Sequence, residues 1–158
     1  MVAVGKDLPF IEASIRPMCE ADVVAAAALE TASYAFPWTE SIFRDCLRVD
    51  YVCNVMDIGA VLAGYSIMTI GAGEAHLLNL CVREQFRFRG LGSQLLRHLL
   101  QQAVAAATRV MFLETRPSNQ AAIRLYQAHH FVQIGVRRGY YQAAGGREDA
   151  LVMRRTLI

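Results

Sequence analysis

The stretch Leu77-Leu78-Asn79-Leu80-Cys81-Val82, followed by Arg87-Phe88-Arg89-Gly90-Leu91-Gly92 and a segment opening at Ser93, decides the reading of this chain. An apolar run precedes the basic, glycine-bearing loop. After it, Leu91, Leu95, Leu96, Leu99, Leu100 and Val104 fall on one helical stripe. The order is strand, loop, helix. Gly90 and Gly92 let a ligand approach the backbone. A helix starting there presents unpaired N–H groups, and Arg87 and Arg89 add full charges. A phosphate or pyrophosphate is the natural guest. Taken alone, the loop is equally compatible with an ordinary strand-to-helix turn carrying solvated arginines. Two other phosphate motifs are excluded: Leu95 stands where a dinucleotide fingerprint needs its third glycine, and no Gly-Lys-Ser/Thr run occurs.

Outward from the loop, the spacing predicts a strand over Ile11–Arg16 ended by Pro17. A helix over Glu20–Tyr34 follows, with Val23, Val24, Ala27 and Ala28 on its apolar side. A second helix is capped by Thr39 and runs to about Val49. Strands are expected at Tyr51–Met56, Val61–Ile70 and Glu74–Val82, with Asp57-Ile58-Gly59 turning the first into the second. Beyond the loop helix come a short buried strand at Val110–Glu114 and a helix from Pro117-Ser118 to about His129 with Ser118 as N-cap. Closing strands at Phe131–Tyr140 and Ala150–Arg154 are joined by a Gly145-Gly146 turn. The expectation is one mixed α/β domain over residues 1–158 with about seven strands and four helices, residues 1–10 being a loose arm.

The net charge is only +2, from 16 basic and 14 acidic residues, so nucleic-acid binding driven by bulk charge is not expected. Cys19, Cys46, Cys53 and Cys81 show no paired spacing and read as buried free thiols. The four histidines fall at no metal-ligand spacing, so no metal is expected. With neither an apolar run long enough for a bilayer nor a leader-like start, a reducing cytoplasm fits best and no membrane partner is expected.

In this context the chain resembles the GCN5-related N-acetyltransferase (GNAT) superfamily. Arg87-x-x-Gly90-x-Gly92 matches its acetyl-CoA pyrophosphate signature, and the element order agrees from Ile11 to Arg154. Five further blocks are similar to the bacterial RimI family. They are Ala35–Glu40, Leu78–Val82, Leu113–Asn119, Ala121–Tyr126, and Arg137–Tyr141 with Gly146–Ala150. The resemblance implies a splayed central sheet and acetyl-CoA as co-substrate. It also implies a partner, the N-terminal alanine amine of a small-subunit ribosomal protein.

It further implies site residues. Glu114, at a strand end, is the expected base; the alternative is a surface carboxylate paired with Arg116. Partial burial would raise the proton affinity of such a group. Tyr126 is the expected proton donor to the leaving thiolate, against a plain core tyrosine. Leu80, Cys81 and Val82 would bond pantetheine through their backbones, and one N–H there would meet the reacting carbonyl oxygen. Arg87, Phe88, Arg89, Gly90, Leu91, Gly92 and Ser93 would cradle the pyrophosphate. Asn119 can serve both as helix cap and as a coenzyme contact. Phe36, Pro37, Trp38, Tyr140 and Tyr141 line the acceptor side or form a satellite apolar cluster. A covalent role for Cys81 lacks a base. His129-His130 departs from the family's Leu-Gly before Phe131, where glycine would end the helix. An acetyltransferase for another amine, and a non-catalytic acetyl-CoA sensor, are the competing readings. An α-amine, with its pKa of about 7.7–8.0, needs less help from a base than lysine.

Overall fold

The computed structural model describes residues 11–157, so the expected arm over residues 1–10 lies outside the described residues. Seven strands form one sheet: β1 (Ser14–Pro17), β2 (Val52–Ile58), β3 (Val61–Gly71), β4 (Glu74–Val82), β5 (Val110–Thr115), β6 (Val132–Ala143) and β7 (Gly146–Thr156). Among the described residues the four α-helices are α1 (Val23–Ser33), α2 (Glu40–Arg48), α3 (Leu91–Ala105) and α4 (Gln120–Ala128). The spatial order is β1-β2-β3-β4-β5-β7-β6. Only β4 and β5 run parallel, because α3 carries the chain back across the sheet between them. The mixed α/β expectation holds.

Side chains alternate across the strands and give the sheet two covered faces. Val55, Tyr65 and Ile67 pack under α1 and α2 with Phe43 and Leu29. Met68, Leu77, Met111, Leu113 and Met153 pack under α3 and α4 with Leu96, Leu99 and Phe131.

Several boundaries differ from expectation for local reasons. β1 retains Pro17, paired with Asn54, since an edge strand tolerates a missing donor. Glu20–Asp22 forms a short 3-10 turn ahead of α1. The buried side of α1 is Val23, Ala26, Ala27, Leu29 and Glu30, while Val24 and Ala28 face solvent. Alanine repeats leave the phase of a helix ambiguous, and the larger Leu29 sets it. Val104 of α3 is likewise half exposed. Thr39 caps α2 as expected, its Oγ1 accepting from Ile42 N. Ser118 does not cap α4; Asn119 does, through its side-chain oxygen and Ala122 N (3.2 Å). Cys19 is exposed, whereas Cys46, Cys53 and Cys81 are buried free thiols. The turn between the closing strands is Ala144-Gly145, one residue before the expected Gly145-Gly146, because Gly146 already pairs with Ala143, and the strands it joins are longer than expected.

The end of α4 resolves the His129-His130 departure. His130 takes φ 66°, the left-handed position that glycine favours. Its N–H bonds Gln127 O and the Phe131 N–H bonds Tyr126 O, both at 3.0 Å, which is the Schellman hydrogen-bond pair. The accompanying apolar contact is Tyr126 against Phe131, with ring centroids 5.9 Å apart. Histidine therefore keeps the geometry at the cost of a strained backbone angle. His130→Gly is expected to stabilise the fold by about 1 kcal/mol, a rise of roughly 2–4 °C in a thermal melt for a chain of this size.

Candidate active site

The ladder between β4 and β5 runs from Glu74–Val110 only to Leu77–Leu113. Beyond it β4 continues to Val82 and β5 to Thr115 without pairing each other. A register shift in the β3–β4 ladder, with Met68 opposite Leu77 and Ile67 opposite Asn79, leaves Leu78 as a bulge at the same level. A bulge bends its strand and increases its twist, which turns β4 away from β5. The sheet opens there, and the edge of Leu78–Val82 that would have bonded β5 is left free of strand pairing.

The bulge also resets which side chains face which way. His76, Asn79 and Cys81 share the face covered by α1 and α2; Asn79 reaches Glu30 (3.0 Å) and Cys81 reaches Ser33 (3.4 Å). Leu77, Leu80 and Val82 turn toward α3. Close approach of β3 holds the open segment: a Cβ on Gly64 would lie 2.6 Å from the Cys81 carbonyl oxygen.

Glu30 organises the entry to the opening. It is a buried glutamate that the sequence reading missed because it sits among alanines. Its carboxylate accepts from the Tyr65 hydroxyl, from Asn79 Nδ2 (3.0 Å) and from the Trp38 backbone N–H (3.1 Å). One side chain thus ties the α1–α2 connection to the bulged strand. Trp38 packs on Phe43 at 5.5 Å in an apolar cluster at the helix junction, while Phe36 is exposed. Tyr34, also missed, donates to Leu80 O (3.2 Å) on the open segment.

The basic loop follows β4. Phe88 and Gly90 take φ 63° and 79°, and nothing lies within 4 Å of a Cβ placed on Gly90. The first N–H of α3 to meet a carbonyl is that of Gln94, on Gly90 O (3.1 Å). The N–H groups of Leu91, Gly92 and Ser93 belong to the helix end that has no internal acceptor. The Leu91 side chain is buried, so that residue offers only its backbone. Arg87 folds back, its Nε donating to Val82 O (2.8 Å), while Arg89 is exposed. Ser93 Oγ meets His129 Nε2 (3.1 Å). Burial, helped by Arg97, Arg155 and His130, pushes the His129 imidazole below its usual value, so the neutral ring makes this contact.

Glu114 and Tyr126 lie on opposite faces of the opening. Met111 and Leu113 of β5 face α3 and α4, so Glu114 by alternation faces the other way. Its side chain is only 8% exposed. Arg116, its partner in the alternative reading, is instead bonded to Glu148 (3.1 Å). Glu114 Oε2 meets His76 Nε2, and its Oε1 accepts from Arg137 Nε (3.2 Å). Neither partner was legible, because β4 and β6 come to β5 only through the sheet.

Tyr126 packs from the α4 side with Leu77 and Leu113. Burial pushes its phenol up to about 12. Its hydroxyl donates to no group among the described residues. The phenols of Tyr34 and Tyr141 are both raised, first by burial and then by neighbours that include Tyr126; Glu114 adds to the shift of Tyr141. These groups therefore converge electrostatically on one opening.

Tyr140 and Tyr141 meet edge to face at 4.9 Å, with Arg116 over the Tyr141 ring at 4.4 Å. The Gly146–Ala150 block explains how they are held. Asp149 accepts from Gly139 N (2.8 Å), where φ is 58°, and Arg147 donates to the Gly139 and Tyr140 carbonyls. Glu148 takes Arg116 together with the Ser118 N–H and hydroxyl, pinning the hairpin to the start of α4. These donors hold the Glu148 carboxyl below its ordinary value.

An opened parallel pair, a helix N-terminus beyond it and a carboxylate and phenol across the gap define an acyl-transferase architecture. The family model for the acetyltransferase (GNAT) family matches residues 22–131, and the chain belongs to that family of N-acetyltransferases. It is 35% identical over 132 residues to the [ribosomal protein bS18]-alanine N-acetyltransferase of Escherichia coli K12, covering 84% of this chain and 89% of the relative. A putative enzyme of the same name from Bacillus subtilis is 31% identical over 144 residues, covering 90% and 94%. The crystal structure of the ribosomal-protein-S18-alanine N-acetyltransferase from Escherichia coli superposes with a TM-score of 0.86 at 32% identity, covering 92% of this chain and 94% of that one. Ard1 from Thermoplasma volcanium shares the fold with a TM-score of 0.85 at 24% identity, covering 92% and 98%.

Gly64 tests the opening. Gly64→Ala is expected to cost about 1–3 kcal/mol, since the methyl must displace the Cys81 carbonyl. Thermal melts should show the loss, and calorimetric titration should show weaker binding of coenzyme A.

Proposed function

We propose that this chain transfers the acetyl group of acetyl-CoA to the N-terminal alanine amine of a small-subunit ribosomal protein, by direct transfer in a ternary complex. The observation that carries the reading is the β4–β5 opening with Glu114 on one face and Tyr126 on the other. The likeness to bS18-alanine N-acetyltransferases over most of the chain supplies the acceptor.

The open edge of Leu80, Cys81 and Val82 suits the amide-bearing pantetheine arm, which pairs as a strand would. The loop from Arg87 to Ser93 takes the pyrophosphate on the free N–H groups of α3. Arg89 lends charge, while Arg87 reaches the site only by leaving Val82 O. Asn119 caps α4 beside the arm. Acetyl-CoA supplies an activated thioester carbonyl.

The acceptor amine arrives from the face of Glu114, Tyr140 and Tyr141, with the exposed Phe36 on the entry side; Trp38 supports that side from its cluster. Glu114 takes the proton that the ammonium must lose before it has a lone pair. Tyr126 gives its proton to the departing sulfur from the opposite face. With its phenol pushed up to about 12, Tyr126 remains a proton donor across the working range. Cys81 needs no covalent part, being buried with its thiol on Ser33. Unpaired Cys46, Cys53 and Cys81 suit a reducing cytoplasm. Among the described residues, no helix is long and apolar enough to cross a membrane.

An acetyl-transfer assay compares an alanine-starting ribosomal peptide, its pre-acetylated form, a lysine peptide and spermidine. Acetylation of the first alone is expected; turnover on spermidine without the peptide would overturn the acceptor. Glu114→Gln should lower turnover most below the α-amine pKa of about 8, where free amine is scarce. A pH profile parallel to that of the parent would remove Glu114 as base. Tyr126→Phe should slow transfer while coenzyme A affinity holds, and no descending limb from Tyr126 is expected below about pH 10.

A further inference from the structure

A buried base has a second task besides taking a proton: it must lose that proton before the next cycle. Glu114 is 8% exposed, so water has little access to it. Its two nitrogen partners differ in what they can do about this. The Arg137 guanidinium is a permanent donor and cannot accept a proton. The His76 imidazole has one nitrogen that can accept a proton and one that can donate it. The His76 side chain is 35% exposed, with Nε2 on Glu114.

Resting on the acetyl-transfer reading above, we propose that His76 is the relay and positioning residue for Glu114. It orients the carboxylate toward the acceptor amine and carries the acceptor's proton out to water. In the first step an N–H bond of the acceptor ammonium breaks, its electron pair stays on nitrogen, and an O–H bond forms on Glu114. In the second, that O–H bond breaks as N–H forms on His76. The imidazolium then gives its Nδ1 proton to water, which leaves an Nε2–H on the Glu114 carboxylate, and a flip of the imidazole ring returns an unprotonated nitrogen to Glu114 before the next turnover. No electrons are exchanged and no co-reactant is consumed.

The placement is a product of the sheet. His76 is paired with Phe112, and Glu114 stands two residues further along β5 on the same face. The ladder ends one pair later, so the His76–Glu114 contact closes the bottom of the opening. The charged and titratable groups around the pair are few. Glu74 shares the face on β4, and Arg154 lies opposite Phe112 on β7. Arg137 and Tyr141 face it from β6, the Tyr141 phenol held neutral by burial and then by Glu114. On α1, Glu30 is occupied by Tyr65, Asn79 and Trp38.

The test is steady-state acetyl transfer to the alanine-starting peptide from about pH 6 to about pH 9, around the α-amine pKa. His76→Gln retains a hydrogen-bond donor for Glu114 but cannot carry a proton. Its kcat should fall at least about tenfold, most at the acidic end, with the KM for acetyl-CoA unchanged. In His76→Ala, added imidazole should restore turnover in proportion to its free base. Parent-like turnover and pH profile in His76→Gln, or a His76→Ala defect that imidazole leaves untouched, would overturn the relay. Glu114→Gln separates the two ideas. If it loses turnover while His76→Gln does not, only the relay falls; if it is fully active, the base reading falls and the relay with it.

Discussion

The point at which β4 and β5 stop bonding each other governs everything else in this molecule. Parallel strands in the middle of a sheet ordinarily stay paired along their length, because each buried N–H and C=O needs a partner. Here a single extra residue, Leu78, bends β4 away after Leu77. The unpaired backbone then needs either water or a ligand with amides of its own. Gly64 below the strand and Tyr34 on the Leu80 carbonyl fix the open segment from both sides. The opening is therefore built into the sheet and does not wait for a ligand to force it.

Polar groups buried around that opening are satisfied in a particular pattern. Glu30 receives three donors from three different segments, which converts a costly buried carboxylate into a cross-link between the α1–α2 connection and β4. Glu148 does the equivalent work on the other side, joining the β6–β7 hairpin to the start of α4. Glu114 differs from both. Its partners, His76 and Arg137, are side chains that stand partly in solvent, whereas Glu30 and Glu148 each also accept from a backbone N–H. Structural carboxylates and a candidate base are thus separated by what holds them.

The α4 terminus links the opening to the fold. The Schellman turn at His130 places Phe131 on Tyr126 and so fixes the phenol beside the gap. One residue earlier, His129 reaches Ser93 in the first turn of α3. The first turn of α3 and the last turn of α4 are joined at adjacent histidines. A family pattern usually met by Leu-Gly is met here by residues that keep the turn and add a polar contact.

Much of the site was legible in the chain itself. The glycine loop before a striped helix is a local pattern, and the resemblance to a family singled out Glu114 and Tyr126 within theirs. Local patterns follow from backbone preference and hydrophobic period. The seven-strand, four-helix order followed from the same source. What the chain alone did not reveal was every contact between strands distant in sequence. Arg116 was the natural partner for Glu114 by proximity, yet β6 brings Arg137 and β4 brings His76. Ser118 was the natural cap by position, yet Glu148 claims it across the hairpin. Glu30 read as one polar residue in an alanine helix until the fold surrounded it. Sequence determined which groups exist and the order of the elements, because those depend on neighbours a few residues away. Tertiary structure decided which charges meet, because a pair 38 residues apart becomes a contact only when the sheet sets its register and then breaks it.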